Sequence, residues 1–173
     1  MRRALPVPFA VLATFVAAAS SQACGAPAEP KPPVAQAAAP APAADTPAGR
    51  CLAIAGARRE RRADEPKKLS AKHILVKYAG AKRAPETVTR TREEACLRAQ
   101  EARDKLEKGA SFADVVREYS EEPGAVTREG SLGAIERGDV APPFADATFE
   151  LRVGDTSHVV ETDYGFHVIQ RTE

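Results

Sequence analysis

Apolar and polar positions fall into short, regular blocks only from about residue 69 onward. Residues 72–78, KHILVKY, form a β-branched and apolar run suited to a strand with one buried face. Residues 80–90 are polar and contain Gly80 and Pro85, which predicts a loop. From Thr91 the pattern TREEACLRAQEARDKLEKG places Ala95, Ala99, Ala102 and Leu106 on one face of a helix. Thr91 and Glu94 have capping-box spacing, and Gly109 is a natural stop. Ser111 caps a shorter helix with Phe112, Val115, Val116 and Tyr119 as its apolar face. Ser120 to Ser131 reads as a loop, Leu132 to Ile135 as a brief strand. Pro142-Pro143 then opens a helix running to about Leu151. Ser157–Glu161 and Phe166–Arg171 alternate as strands around a four-residue hairpin loop, Thr162-Asp163-Tyr164-Gly165. The order β-α-α-β-α-β-β predicts an α+β fold, a small antiparallel sheet with helices against it.

The first 68 residues carry a different pattern. Arg2 and Arg3 precede an uncharged apolar run at residues 4–19. A membrane span needs about 20 such residues, and Pro6 and Pro8 shorten this run further, so residues 1–23 read as a secretory signal peptide. Cys24 follows the small residues Ser21 and Ala23, as in bacterial lipoprotein signals, where that cysteine is acylated, although Ser21 stands where such signals have Leu. Two outcomes stay open: lipidation of Cys24 with attachment to a bacterial membrane, or ordinary cleavage after Ala23 that releases a periplasmic protein. Residues 26–48 hold 10 Ala and 7 Pro and lack large apolar side chains, so residues 24–68 are expected to be a flexible tether. The folded domain is then residues 69–173.

Charge changes at the same place. Residues 1–68 carry 10 Lys+Arg against 5 Asp+Glu, and the remainder carries 15 against 19, so a net +5 faces a net −4. The overall +1 excludes a dedicated nucleic-acid binder. The run RRERRADEPKK at 58–68 reads as solvated charge, with attraction to an anionic membrane or substrate as the alternative. Three cysteines cannot build a multi-bridge scaffold, and no CxxC or Cys/His cluster suggests a metal. Cys96, beside Ala95 and Ala99, reads as a small buried hydrophobe. If Cys24 is lipidated, Cys51 can pair only with Cys96 or with another chain.

Four separated segments, AKHILVKY, SFADVVREYS, EGSLGAIERGDVAPPFADATFEL and VVETDYGFHVIQRTE, agree in order and spacing with a known family. Residues 69–173 resemble a parvulin-type peptidyl-prolyl cis-trans isomerase domain. KYAGAKRA and TVTRTREEA further resemble the branch directed to phosphoserine/phosphothreonine-proline bonds. The WW module of some members is excluded from these residues, which contain no tryptophan. The resemblance implies a parvulin-like (FKBP-like) four-stranded antiparallel sheet with three to four helices. It assigns Leu132, Val140 and Phe144 to a proline pocket, where Val140 is smaller than the Met usual in the family. It pairs His73 with His167 and places the Thr162 hydroxyl beside the second. The family's loop Cys or Asp falls on Glu122, or on Pro123 when counted back from Gly130; Glu122 offers the anionic group. Lys77, Lys82 and Arg83 map onto a cluster that binds a phosphate, or more weakly a glutamate, before proline. His158 matches nothing and is expected at the surface.

The chemistry needs residues of these kinds. Amide resonance resists C–N rotation by about 18–20 kcal/mol, and uncatalysed prolyl isomerisation takes about 10–100 s. Reaching about 10³ per second requires roughly 7 kcal/mol of barrier lowering. No bond is made or broken, so neither a metal nor another cofactor is expected. A pocket for the ring, with polar groups that favour the twisted amide, is what helps. Two readings follow. One is an isomerase acting as a monomer on proline-containing polypeptides, a foldase for exported proteins. The other is a non-catalytic proline-binding chaperone module. Both use the pocket; only the first needs His73, Glu122, Thr162 and His167.

Overall fold

In the structure, a computed structural model, residues 43–173 are described. The expected signal peptide, Cys24 and the first part of the expected tether lie outside these residues. The chain forms α1 (Pro47–Ala55), β1 (Lys68–Val76), α2 (Arg92–Glu107), α3 (Phe112–Tyr119), β2 (Ser131–Glu136), a single 3-10 turn (Arg137–Asp139), α4 (Pro142–Glu150), β3 (Val160–Thr162) and β4 (Gly165–Arg171). The four strands pair antiparallel in the order β2-β1-β4-β3.

Side chains alternate across a strand, so each strand serves two layers. On one face Ile74, Val76, Phe166 and Val168 pack with Val115, Val116 and Tyr119 of α3 and the alanines of α2. Ala95, Ala99 and Ala102 are fully buried, and their small size lets α2 approach closely. On the other face Leu69, Ala71, Ile135 and Ile169 pack under Phe144, Ala145 and Phe149 of α4. His73 and His167 share the parity of this second face. Each fully buried large apolar side chain contributes about 1.5–3 kcal/mol.

The strand boundaries differ from the sequence reading. β1 begins at Lys68 and ends at Val76, because the Lys77 N–H turns to the Glu121 carboxylate and the Lys77 carbonyl to Arg90. β3 is shorter than expected. Ser157 lies before it, although its N–H and hydroxyl still bond the Ile169 backbone. Thr162 pairs directly with Gly165, so the hairpin turn has two residues, Asp163-Tyr164, rather than four. Gly165 sits at φ 134°, and a Cβ there would collide with the Val76 carbonyl oxygen.

The larger departure lies in the segment read as tether. Residues 47–55 form α1, with Thr46 accepting the Gly49 N–H and Pro47 at the first turn. Cys51 and Ala55 are buried, and Cys51 is bonded to Cys96 of α2, Cα–Cα 6.1 Å. Cys96 is thus half of a disulfide rather than a free small hydrophobe. The disulfide staples α1 to α2, beside Leu52, which packs against the core, while Ile54 stays exposed. Residues 57–67 then run back to β1 as a strap. The charge run within it is partly anchored: Arg59 pairs with Glu150 of α4, and Glu65 with Arg137.

Candidate active site

β1 and β4 position the histidines. His73 pairs in register with Ile169, two residues from His167, so the two imidazoles meet diagonally on one face. Their Nδ1 atoms are 3.2 Å apart and the rings lie nearly parallel, 12° between planes. Phe144 presents its ring edge-on to both, with centroids at 5.5 and 5.1 Å. At one end, Thr162 Oγ1 is 2.8 Å from His167 Nε2 and also accepts the Tyr164 N–H. At the other, His73 Nε2 is 2.7 Å from Glu122 Oε2.

The hydrogen-bond network assigns the protons. Burial first, and the neighbouring His73 second, push the His167 pKa well below its usual value, so this imidazole is neutral. With His167 neutral, Thr162 donates to His167 Nε2, His167 Nδ1–H donates to His73 Nδ1, and His73 Nε2–H donates to Glu122. The Glu122 carboxyl is held below the usual carboxylate range, chiefly by its hydrogen bond to His73 and further by the charges of His73 and Arg128. Arg128 bonds the same oxygen and reaches the Pro123 carbonyl.

Gly130 sets the loop that carries Glu122. Its carbonyl accepts the His73 N–H, its φ is 76°, and a Cβ would lie 2.5 Å from the His73 carbonyl oxygen. Only glycine fits so close to β1. Arg90 braces the other side, donating to both Glu121 oxygens and to the Lys77 carbonyl.

These groups open onto a cleft of about 640 Å³. Phe144, 3% exposed, lies at its base, with the half-buried Leu132 and Val140 as apolar walls. Glu122, Thr162 and both histidines line the same cleft, and Lys77, Lys82 and Arg83 stand along it. The three cations are not equivalent. Lys77 is buried and its ammonium donates to the Arg83 carbonyl at 2.8 Å, bracing Arg83 at φ 59°. Lys82 and Arg83 are exposed and flank the Tyr164 ring, 5.0 and 5.9 Å from its centroid. His158 is exposed, away from the cleft. Arg128, Arg90, Glu121 and Tyr164 were not singled out as site residues in the sequence reading. Among the described residues no group of three His, Cys, Asp or Glu side chains is arranged to hold a metal ion.

The sequence model of the PPIC-type PPIASE domain family matches residues 57–173. The chain belongs to that family. It is 39% identical over 113 residues to peptidyl-prolyl cis-trans isomerase Pin1 of Arabidopsis thaliana, covering 60% of this chain and 94% of that protein. It is 36% identical over 106 residues to the foldase protein PrsA of Geobacillus sp. (strain WCH70), covering 61% of this chain but only 32% of the foldase. The match thus spans about a third of the foldase. Among solved structures, peptidyl-prolyl isomerase ESS1 from Candida albicans superposes with a TM-score of 0.56 at 27% identity, over 62% of this chain and 63% of that one. The PPIase domain of TBPAR42 gives 0.54 at 34% identity, over 61% and 99%. The parvulin-type fold read from the sequence is therefore the fold observed, with four helices beside the four-stranded sheet.

Proposed function

We propose that the chain is a peptidyl-prolyl cis-trans isomerase whose substrate is an Xaa-Pro segment of a polypeptide held in the cleft. The observation that carries this reading is the apolar notch of Leu132, Val140 and Phe144 set against the hydrogen-bonded series Glu122, His73, His167 and Thr162. The pyrrolidine ring is a small apolar body that can lie on Phe144, where water is excluded. The amide carbonyl then sweeps the polar end of the cleft as the bond turns. A fixed carboxylate there disfavours negative charge on the carbonyl oxygen, weakens amide resonance and lowers the rotational barrier. The imidazole pair does not exchange protons with the substrate; it holds Glu122 and Thr162 in place, so that little reorganisation is needed as the amide twists.

Lys82 and Arg83 at the rim favour an acidic residue before proline, and a phosphorylated one more strongly, while Lys77 fixes the loop that presents them. Export is supported by the leader at residues 1–23 and by the Cys51–Cys96 disulfide, a bond that persists in oxidising compartments. In this reading the protein assists folding of exported chains, either free in the periplasm or anchored to a membrane through a lipidated Cys24.

A coupled assay on peptides with Glu, phosphoserine or Leu before proline tests the activity and its preference. Acceleration in the order phosphoserine, Glu, Leu is expected. Equal rates remove the anion preference, and binding without acceleration for any peptide supports the holding module instead. A diacylglyceryl mass on Cys24 of the mature chain is expected for the anchored form, and an unmodified Cys24 terminus contradicts it.

A further inference from the structure

The 3-10 turn Arg137–Asp139 connects β2 to the pocket residue Val140, and Gly138, Asp139, Val140 and Ala141 all line the cleft. None of the three turn residues is buried, whereas Val140 and Ala141 just beyond them pack against the core under α4. Within the turn the Asp139 carboxylate accepts the Glu136 N–H; the side-chain ties from the turn to other elements run through the Arg137 guanidinium. Arg137 donates to Asp146 of α4 at 2.6 Å and lies over the Phe149 ring, 5.2 Å from its centroid. Its other two donors go to a residue outside the sheet and helices. Arg137 Nε and Nη2 each reach a Glu65 oxygen at 2.7 Å, a two-pronged pairing with a side chain only 5% exposed. Glu65 is itself tied within the strap, accepting the Arg62 N–H.

We propose that Glu65 is a positioning residue for the proline cleft: through Arg137 it fixes the turn that carries the Val140 wall. The strap that leads from α1 to β1 thereby shapes a subsite it does not touch. The inference rests on the proline-binding reading of the cleft, and it needs no turnover to be tested. Arg137 holds the Glu65 carboxyl below its usual range, so the pair stays ionised at neutral pH. A wall that contacts the ring in ground state and transition state alike affects binding more than the chemical step.

The test measures the dissociation constant of a Glu-Pro peptide by titration, together with KM, kcat and backbone amide shifts, for the full chain. Glu65→Gln is expected to raise Kd and KM roughly 3- to 10-fold while kcat changes less than about 2-fold, with amide shifts at Gly138, Asp139 and Val140. Glu65→Asp keeps the charge but withdraws the carboxylate, so a smaller change in the same direction is expected; it decides the matter if Glu65→Gln does not fold. Glu150→Gln cuts the strap's other pairing, with Arg59, and is expected to leave Kd unchanged. Unchanged Kd with shifts confined to the strap overturns the proposal, as does an equal loss in Glu150→Gln. Wild-type binding without isomerisation defeats the isomerase reading alone, because the Kd comparison still stands.

Discussion

His167 is buried as a neutral imidazole, and that has a cost on the acid side. Its folded pKa is depressed, so below the usual histidine value the unfolded chain binds a proton that the folded chain refuses. Stability is therefore full at neutral pH and falls as pH drops from about 6.5, by at most about 1.4 kcal/mol per pH unit for one group. His158, shifted the same way mainly by desolvation, adds in the same direction. Glu122 acts lower on the scale: its contribution is present above the usual carboxylate range and is lost as pH falls through its depressed folded value. Urea midpoints measured between pH 7 and 5 are expected to decline, and His167→Gln to flatten that decline; an unchanged slope in the variant contradicts the neutral assignment. Phe144→Leu keeps an apolar residue beneath the imidazoles but loses the ring. It is expected to cost about 1 kcal/mol of stability and to raise KM for proline peptides. Wild-type KM in the folded variant contradicts the placement of the proline ring. At this scale the resemblance to the parvulin family singled out the histidines, Thr162 and the three apolar residues, and the structure brings them to one cleft. Arg128 and Lys77 were opaque: one arginine in a charged loop looks like any other, and nothing in the sequence shows that a lysine points inward at a carbonyl.

Strand alternation explains how the two histidines that the resemblance paired come to share one face. Positions 73 and 167 sit on runs with period 2, and antiparallel pairing of those runs puts both side chains on the α4 face. The hairpin was misjudged because Gly165 looks like a loop residue, whereas it is the first residue of β4, chosen for a close approach to Val76. Gly165→Ala is expected to destabilise the domain by more than about 1 kcal/mol, read as a lower thermal midpoint; a neutral effect contradicts the crowding at Val76. The helix α1 was hidden by composition. Its Thr46-Pro47 start and the Cys51/Ala55 spacing were present in the sequence, but the surrounding Ala/Pro run obscured them. Removing its staple by Cys51→Ser is expected to cost about 2–4 kcal/mol. Reductant should lower the wild-type denaturation midpoint and leave the variant's unmoved. Equal reductant sensitivity in both contradicts the pairing.

The whole molecule places its two layers on opposite sides of one sheet. The face toward α2 and α3 is apolar at Ile74, Val76, Phe166 and Val168 and turns polar at Lys72, Gln170 and Glu161. The face toward α4 is apolar at one end and gives way at the other to the imidazoles and the cleft. This division leaves the polar series on the paired strands β1 and β4 and on loops tied to them by hydrogen bonds. The described N-terminal segment joins the domain through a disulfide and ion pairs rather than through a core of its own. Central to this account is that a proline ring lies on Phe144 while its preceding bond rotates. Exchange NMR of a Glu-Pro peptide with a catalytic amount of the chain measures both at once. The account predicts cis–trans exchange far faster than the uncatalysed 10–100 s, together with cross-relaxation between the proline ring and Phe144. Cross-relaxation with exchange left at the uncatalysed rate would contradict it.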